Sequence, residues 1–335
     1  VTLAQARDRA TACRSAIADG KPPASALIDK RPVTFEQAAQ AYIAMRSPDW
    51  RSPKTLNKWT VFLQRYARDL SPLACNAIRR EDVEAALRPH WTRINLSARY
   101  FRSMVENVLD YATVKGWREG DNPARWKGNL EHVLARKKPP VKHNTAIAIA
   151  DAPALYSTLM ASPRSGMRCA AFVLLTAARN GEARQATWDQ IDRDRNVWTV
   201  PSERMKRGLT HHVPLSAQAR RILDEQPRYG WTNLIFPGLR GKTLSDATIR
   251  LAIRRCGFPD ATAHGLRSTF RDWCGETGVP RELAELALSH AVGNETERAY
   301  RRMTALERRR EIMEDWAGYL VGRQHRRLFL SNDPN

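Results

Sequence analysis

His264-Gly265-Leu266-Arg267, followed by Leu288-Ser289-His290 and then by Arg298-Ala299-Tyr300-Arg301-Arg302, is the stretch around which this 335-residue chain is organised. On a helix, His264 and Arg267 stand three apart and share one face. A guanidinium beside two imidazoles makes a poor core and a good cradle for a phosphate. Tyr300 ends a polar, charged run, where a phenol has little reason to be buried. The periodicity around these residues predicts helices from Ser245 to about Val321, and a loose tail after Arg323.

The residues just upstream supply further unusual positions. A helix is predicted from near Asp151, with Leu155, Leu159 and Met160 on its apolar face. A second, without charge from Cys169 to Ala178, runs straight into Arg179-Asn180-Gly181-Glu182. An arginine directly after so apolar a run is aimed at something. Three short strands are predicted at Trp188–Asp192, Val197–Pro201 and His212–Ser216, the last two forming a hairpin over Met205-Lys206-Arg207-Gly208. His211-His212 is a weak metal signal, because adjacent side chains on a strand point to opposite faces. The pair is read as hairpin surface, with His212 near a polyanionic partner. The Glu307 to Arg310 run reads as a solvated helix face or a phosphate contact.

The first half of the chain carries no strand pattern. Thr34-Phe35-Glu36-Gln37 is a capping box that opens a helix through Tyr42 and Met45. Ser52-Pro53 caps another, with Leu56, Trp59, Leu63 and Tyr66 on one stripe. A short helix at Glu81–Leu87 follows, then one with Phe101, Met104, Val105, Val108 and Ala112 inward. These make a compact helical unit at 32–136, whose polar faces hold Lys54, Lys58, Arg65, Arg68, Arg93, Arg99 and Arg102. Arg136 to Lys142 is basic, stiffened by proline and aperiodic, so 137–150 reads as a linker. A second unit is predicted at 151–323 and a tail at 324–335. Residues 1–30 read as one helix, Leu3 to Ala18, with a Gly20-Lys21-Pro22-Pro23 break. A lone helix cannot bury its own apolar face.

Composition narrows the partner. Lys and Arg number 55 against 35 acids, a net charge of +20, and mean hydropathy is -0.54. Such an excess implies a polyanion, with nucleic acid the first candidate. The five cysteines are scattered without a CxxC pair, so neither a disulfide framework nor a zinc site is indicated, and a reducing, cytosolic setting fits. The longest apolar run, Ala170 to Ala178, is far too short to span a bilayer.

Taken together, the order and context of Arg179, Lys206, His264, Arg267, His290 and Tyr300 resemble the tyrosine recombinase (phage integrase) family. The first arginine lies in Thr176-Ala177-Ala178-Arg179-Asn180-Gly181-Glu182, the lysine on a hairpin from Met205 to Pro214, and His-x-x-Arg at His264 to Arg267. Tyr300 follows His290 by ten residues. Trp188, Trp273, the Glu295 to Arg302 run and Met313 to Tyr319 look most like the prophage and genomic-island branch. Ser289 departs from the pattern, in which glycine is commoner before the histidine.

The resemblance implies a mainly α (α+β) fold: a helical, SAM-like core-binding domain and a mixed α/β catalytic domain with a small three-stranded antiparallel sheet. It also implies site-specific recombination through a 3′-phosphotyrosine. A free tyrosine is only about a thousandth phenolate at pH 7, so attack needs proton removal and a stabilised transition state. By resemblance, Arg179 and Arg267 clamp the non-bridging oxygens and His264 exchanges a proton with Tyr300. His290 bonds the phosphate, Lys206 protonates the departing 5′-hydroxyl, and Glu182 orients the first arginine. No cofactor or metal is expected. The expected partner is double-stranded DNA at attachment or core sites, bound by a homotetramer that is monomeric when free, with excision or host DNA-bending factors and no membrane. Residues 1–30 look like the closing helix of an arm-binding domain, which would make the chain a truncated integrase. A type IB topoisomerase, with the same residue set, and a regulator with a dead site are the alternatives.

Overall fold

The computed structural model describes residues 2–20, 22–23, 32–50, 52–134, 145–205, 208–290 and 295–323, with the backbone alone for residues 5, 53 and 295–304. The predicted linker core and C-terminal tail lie outside the described residues. The chain divides into two compact units, Val1–Val141 and Lys142–Asn335.

In the first unit, α1 (Leu3–Ala18) is exposed along nearly its whole length, with Ala16 buried. The capping box opens α2 (Phe35–Arg46): Gln37 N–H donates to the Thr34 hydroxyl at 3.3 Å, and Thr34 N–H to the Gln37 side chain at 3.0 Å. α3 (Pro53–Val61) is capped by Ser52. α4 (Arg80–Trp91) and α5 (Asn95–Val114) complete the bundle, and α5 buries Phe101, Met104, Val105, Val108 and Ala112 as its spacing requires. Of the stripe predicted from α3 onward, Trp59 is buried and Leu63 and Tyr66 pack against the core, while Leu56 is 45% exposed; a π-helical turn at Phe62–Tyr66 carries buried Phe62. Arg102 also turns inward, bonding Glu106 and the Ala124 carbonyl, each at 2.7 Å.

The second unit wraps helices around one apolar helix. α6 (Ala152–Met160) precedes α7 (Ser165–Thr176), whose residues from Cys169 to Thr176 are all buried. Ala177 breaks that helix with φ 49, and α8 (Asn180–Arg184) starts with Arg179 at its N-cap. The sheet follows in the order β1 (Ile191–Asp192), β2 (Val197–Val200), β3 (His211–Pro214), all antiparallel, with Val200 opposite His211. The strands are shorter than predicted: Trp188–Gln190 forms a 3-10 turn, not strand, and β3 starts at His211 and stops at Pro214. α9 (Ala217–Asp224), α10 (Thr248–Arg255), α11 (Ala263–Glu276), α12 (Arg281–Ala287) and α13 (Glu295–Leu320) complete the unit. Among the described residues, no helix is long and apolar enough to cross a membrane.

Two devices set α11 and α13. Trp316 of α13 is fully buried against Phe270 and Trp273 of α11 and donates to the Leu174 carbonyl at 2.8 Å. Deleting a ring so placed costs roughly 3–5 kcal/mol. The segment entering the unit is stitched across the start of α11. Thr262 N–H reaches the Thr145 carbonyl at 3.2 Å, Ile147 N–H reaches the Thr269 hydroxyl at 3.1 Å, and that hydroxyl donates to the Ile147 carbonyl at 2.8 Å.

Gly265 lies beneath this crossing. A Cβ there would sit 2.0 Å from the Thr145 carbonyl oxygen, so only glycine lets the two backbones approach. Gly265→Ala should therefore destabilise the second unit by about 1–3 kcal/mol, the usual range for overpacking. Chemical denaturation measures it, and an unchanged midpoint would mean that the crossing gives way freely.

Candidate functional site

The site is assembled at the end of α12. The helix closes with Leu288 as C-cap and Ser289 in the left-handed region at φ 53, the position for which glycine is the commoner residue. Ser289 N–H returns to the Leu286 carbonyl at 3.1 Å, and His290 N–H to the Glu285 carbonyl at 2.9 Å. A left-handed residue after a helix permits this double closure, which satisfies two of the carbonyls a helix end leaves unpaired. The turn also fixes the backbone of His290.

Two further carbonyls accept from side chains: Leu288 takes Arg267 at 2.6 Å, and Ser289 takes the Arg179 guanidinium at 3.2 Å. Carbonyls at a helix C-terminus carry partial negative charge, which offsets the repulsion between two guanidiniums brought together. Arg267 bonds the Ala177 carbonyl as well, so the break after α7 has a use. It is 3% exposed, burial pushes it down to about 10, and its Nε–H has no acceptor among the described residues. An unsatisfied buried guanidinium N–H is costly unless something anionic arrives.

Arg179 is held by Glu182, whose carboxylate accepts the Arg179 backbone N–H at 2.9 Å and its Nη1 at 2.8 Å. The same residue thus caps α8 and aims the arginine. His264 lies on the first turn of α11, where Thr262 caps by accepting Gly265 N–H at 2.9 Å. Its ring is exposed on one side. Partial burial, then Arg267, His290 and Arg179, hold His264 below the ordinary imidazole value. His290 Nδ1 faces Glu285 at 2.5 Å and Nε2 faces Arg267 Nη2 at 3.3 Å. The carboxylate calls for a proton on Nδ1, and the guanidinium for a lone pair on Nε2. Burial alone would raise Glu285, but its bonds to His290 and Arg271 hold it low.

Arg179, Glu182, His264, Arg267 and His290 are therefore brought together. Lys206 lies outside the described residues, although its neighbour Met205 is buried in the core. Tyr300 lies on α13, and its side chain is outside the described part of that helix. The reading of His211 as surface is corrected. It shares a strand face with buried Val213 and Leu215 and pairs with buried Val200, an alternation legible in the sequence. It is half-buried, in contrast with exposed His212 beside it. Burial first, then Arg309, Arg179 and Arg267, push it down to about 3. The Glu307 to Arg310 run is likewise no simple solvated face, since Arg309 is 5% exposed and bonds the His212 carbonyl at 2.9 Å.

Residues 35–129 match the family model for the phage integrase central domain, and residues 148–307 match that of the phage integrase family. The chain belongs to the phage integrase family. It is 29% identical to prophage integrase IntZ of Escherichia coli (strain K12), over 95% of this chain and 80% of IntZ. It is 37% identical to prophage integrase IntA of the same organism, over 55% of this chain and 46% of IntA. The chain thus spans less than half of IntA. A lambda integrase tetramer bound to a Holliday junction has the same fold, with a TM-score of 0.64, 18% identity and 82% of each chain covered. As a phage integrase, the protein is a tyrosine recombinase, an enzyme of site-specific DNA recombination. Both family models matching in sequence order sets the topoisomerase reading aside.

The integrase's first unit presents a second surface. Leu96 is 83% exposed and, with Val61 and Tyr100, borders a cleft of about 620 Å³ whose polar residues include Asn57, Lys58 and Ser97.

The depressed histidines have a sign. Near pH 6.5 the unfolded chain binds protons that folded His211 and His264 refuse, so stability is greatest above that pH and falls as pH drops below it. The slope is at most about 1.4 kcal/mol per pH unit for each histidine, and open His264 contributes less. Denaturation midpoints should therefore fall steadily from about pH 7 to about pH 5. A flat profile across that window would show that neither imidazole is held neutral.

Proposed function

We propose that the integrase cleaves and rejoins duplex DNA at attachment sites through a 3′-phosphotyrosine on Tyr300, moving a prophage or genomic island into or out of a bacterial chromosome. The observation that carries this reading is the Arg267 Nε–H, buried and without an acceptor among the described residues, beside Arg179 and two imidazoles. A scissile phosphate supplies what that group lacks. Arg179 and Arg267 hold the non-bridging oxygens, and the planar fork of a guanidinium suits two oxygens better than an ammonium would. His290 bonds the phosphate through an Nε2–H, with the ring carrying both protons, since Nδ1 stays with Glu285. The Tyr300 oxygen forms the new bond to phosphorus as its proton passes to His264. The bond to the 5′-oxygen breaks, and Lys206 protonates that oxygen. Religation reverses these transfers, since the phosphotyrosine retains the bond energy.

We assign residues 151–323 to catalysis and 32–136 to core-site DNA, with the cleft at Val61, Leu96 and Tyr100 meeting base edges and its basic rim meeting phosphates. The active assembly in this reading is a homotetramer on two duplexes, formed from monomers in the cytoplasm and aided by excision or host DNA-bending factors. The lambda neighbour, a tetramer on a Holliday junction, supports it.

Tyr300→Phe should bind core-site DNA as tightly as the parent and form no covalent adduct on a nicked suicide substrate. Adduct at normal yield, seen on a denaturing gel, would place the nucleophile elsewhere. Lys206→Ala should cleave roughly a hundred- to ten-thousandfold more slowly, as loss of a general acid does. It should recover on DNA whose scissile 5′-oxygen is sulfur, because a thiolate leaves without a proton. Failure to recover would make Lys206 a phosphate contact only.

A further inference from the structure

Glu285 precedes His290 by five residues, a spacing at which two side chains of an unbroken helix do not meet. They meet here because left-handed Ser289 folds the chain back over the end of α12. Glu285 then holds His290 twice. Its carbonyl accepts the His290 backbone N–H at 2.9 Å, and its carboxylate takes ring Nδ1 at 2.5 Å. The other carboxylate oxygen lies 2.7 Å from the Arg271 guanidinium. Arg271 stands one turn after Arg267 on α11, so the two share the face turned to α12. The imidazole is thus bracketed by one helix face: Arg267 meets Nε2 at 3.3 Å, and Arg271 meets the carboxylate behind Nδ1. The Glu285 side chain is 14% exposed, so water screens its charge little.

A phosphate changes what His290 must do. Without one, Nε2 faces a guanidinium and needs a lone pair; to bond a non-bridging oxygen, Nε2 must carry a proton. The ring therefore takes a second proton from solvent as the phosphate binds, and becomes a cation. Its surroundings are already positive. Arg267 touches it from α11, Arg179 bonds the preceding carbonyl from the start of α8, His264 acts on it from the first turn of α11, and Arg271 stands behind Glu285. Glu182 is committed to Arg179. Among the described residues, Glu285 is the carboxylate in contact with the ring, and a charge of opposite sign favours the cationic form.

We propose that Glu285 is a positioning residue for strand cleavage: it holds His290 by backbone and ring, points Nε2 at the scissile phosphate, and balances the charge the ring gains on donating to it. The role is exerted through His290, and it rests on the reading of that histidine as a phosphate donor. A carboxylate behind an imidazole fixes which nitrogen bears a proton and stabilises the imidazolium that forms.

The test is cleavage of a core-site suicide substrate by the full chain, comparing Glu285→Gln, His290→Ala and the double variant between about pH 6 and about pH 8. Glu285→Gln keeps the side-chain length and an oxygen for Nδ1–H but lacks the charge. It should cleave roughly ten- to a hundredfold more slowly near the alkaline end. The loss should shrink as pH falls, because the second ring proton then binds without help from the carboxylate. A loss of equal size at both ends would overturn the proposal, since a defect of folding or orientation alone has no such dependence. In the His290→Ala background, adding Glu285→Gln should change the rate by less than about threefold. Penalties that multiply would place the action of Glu285 outside the histidine and equally overturn it. His290→Ala cleaving as fast as the parent would refute the phosphate reading of His290 itself. A slow His290→Ala beside a parent-like Glu285→Gln would refute only the role of Glu285. If Glu285→Gln is unfolded by circular dichroism, the parent decides. Nitrogen NMR of its histidines near neutral pH, with His290 assigned by its loss in His290→Ala, should show Nδ1 protonated, and a bare Nδ1 would sink the assignment.

Discussion

Everything in the catalytic unit depends on what satisfies the carbonyls at the end of α12. A helix end leaves carbonyls without partners, and here the backbone closure through left-handed Ser289 absorbs those of Glu285 and Leu286. Arg267 and Arg179, from two separate elements, take those of Leu288 and Ser289. Two guanidiniums side by side repel one another. They stay together because partly negative carbonyls and the Glu182 carboxylate lie around them. The same bonds hold them in place before any phosphate arrives, so little reorganisation is left for the reaction to supply.

The surrounding architecture keeps that turn in register. α7 is buried throughout its second half, so its abrupt end at Ala177 both directs a carbonyl at Arg267 and releases Arg179 as the next cap. α11 is pinned at Gly265 by the crossing segment and along its length by Trp273. The long last helix, on which Tyr300 lies, is anchored further along by Trp316. It is tied to the sheet by Arg309, and by Arg310 reaching the Asn196 carbonyl at 3.3 Å. Helix and hairpin are thereby mechanically linked.

Much of this was legible beforehand. α1 and α2, the helix ending before Arg179 and the three-stranded sheet follow from caps, periodicity and alternation, and the family motifs follow from residue order. The stripe from α3 onward held at Trp59, Leu63 and Tyr66, which lie on the core, and missed at Leu56. Arg102 and Arg309 were assigned to surfaces because polar residues are mostly outside, yet each is drawn inward by a carbonyl outside its own helix.

The sequence by itself determined most of the elements and singled out the side chains proposed for the chemistry, because capping, periodicity and motif spacing are local properties of the chain. It also set a net charge of +20, which does not depend on folding and favours a polyanionic partner. Only the tertiary structure decided that Arg179 and Arg267 meet on one turn. That meeting depends on carbonyls supplied from 21 to 110 positions away, which the spacing of the residues themselves does not contain.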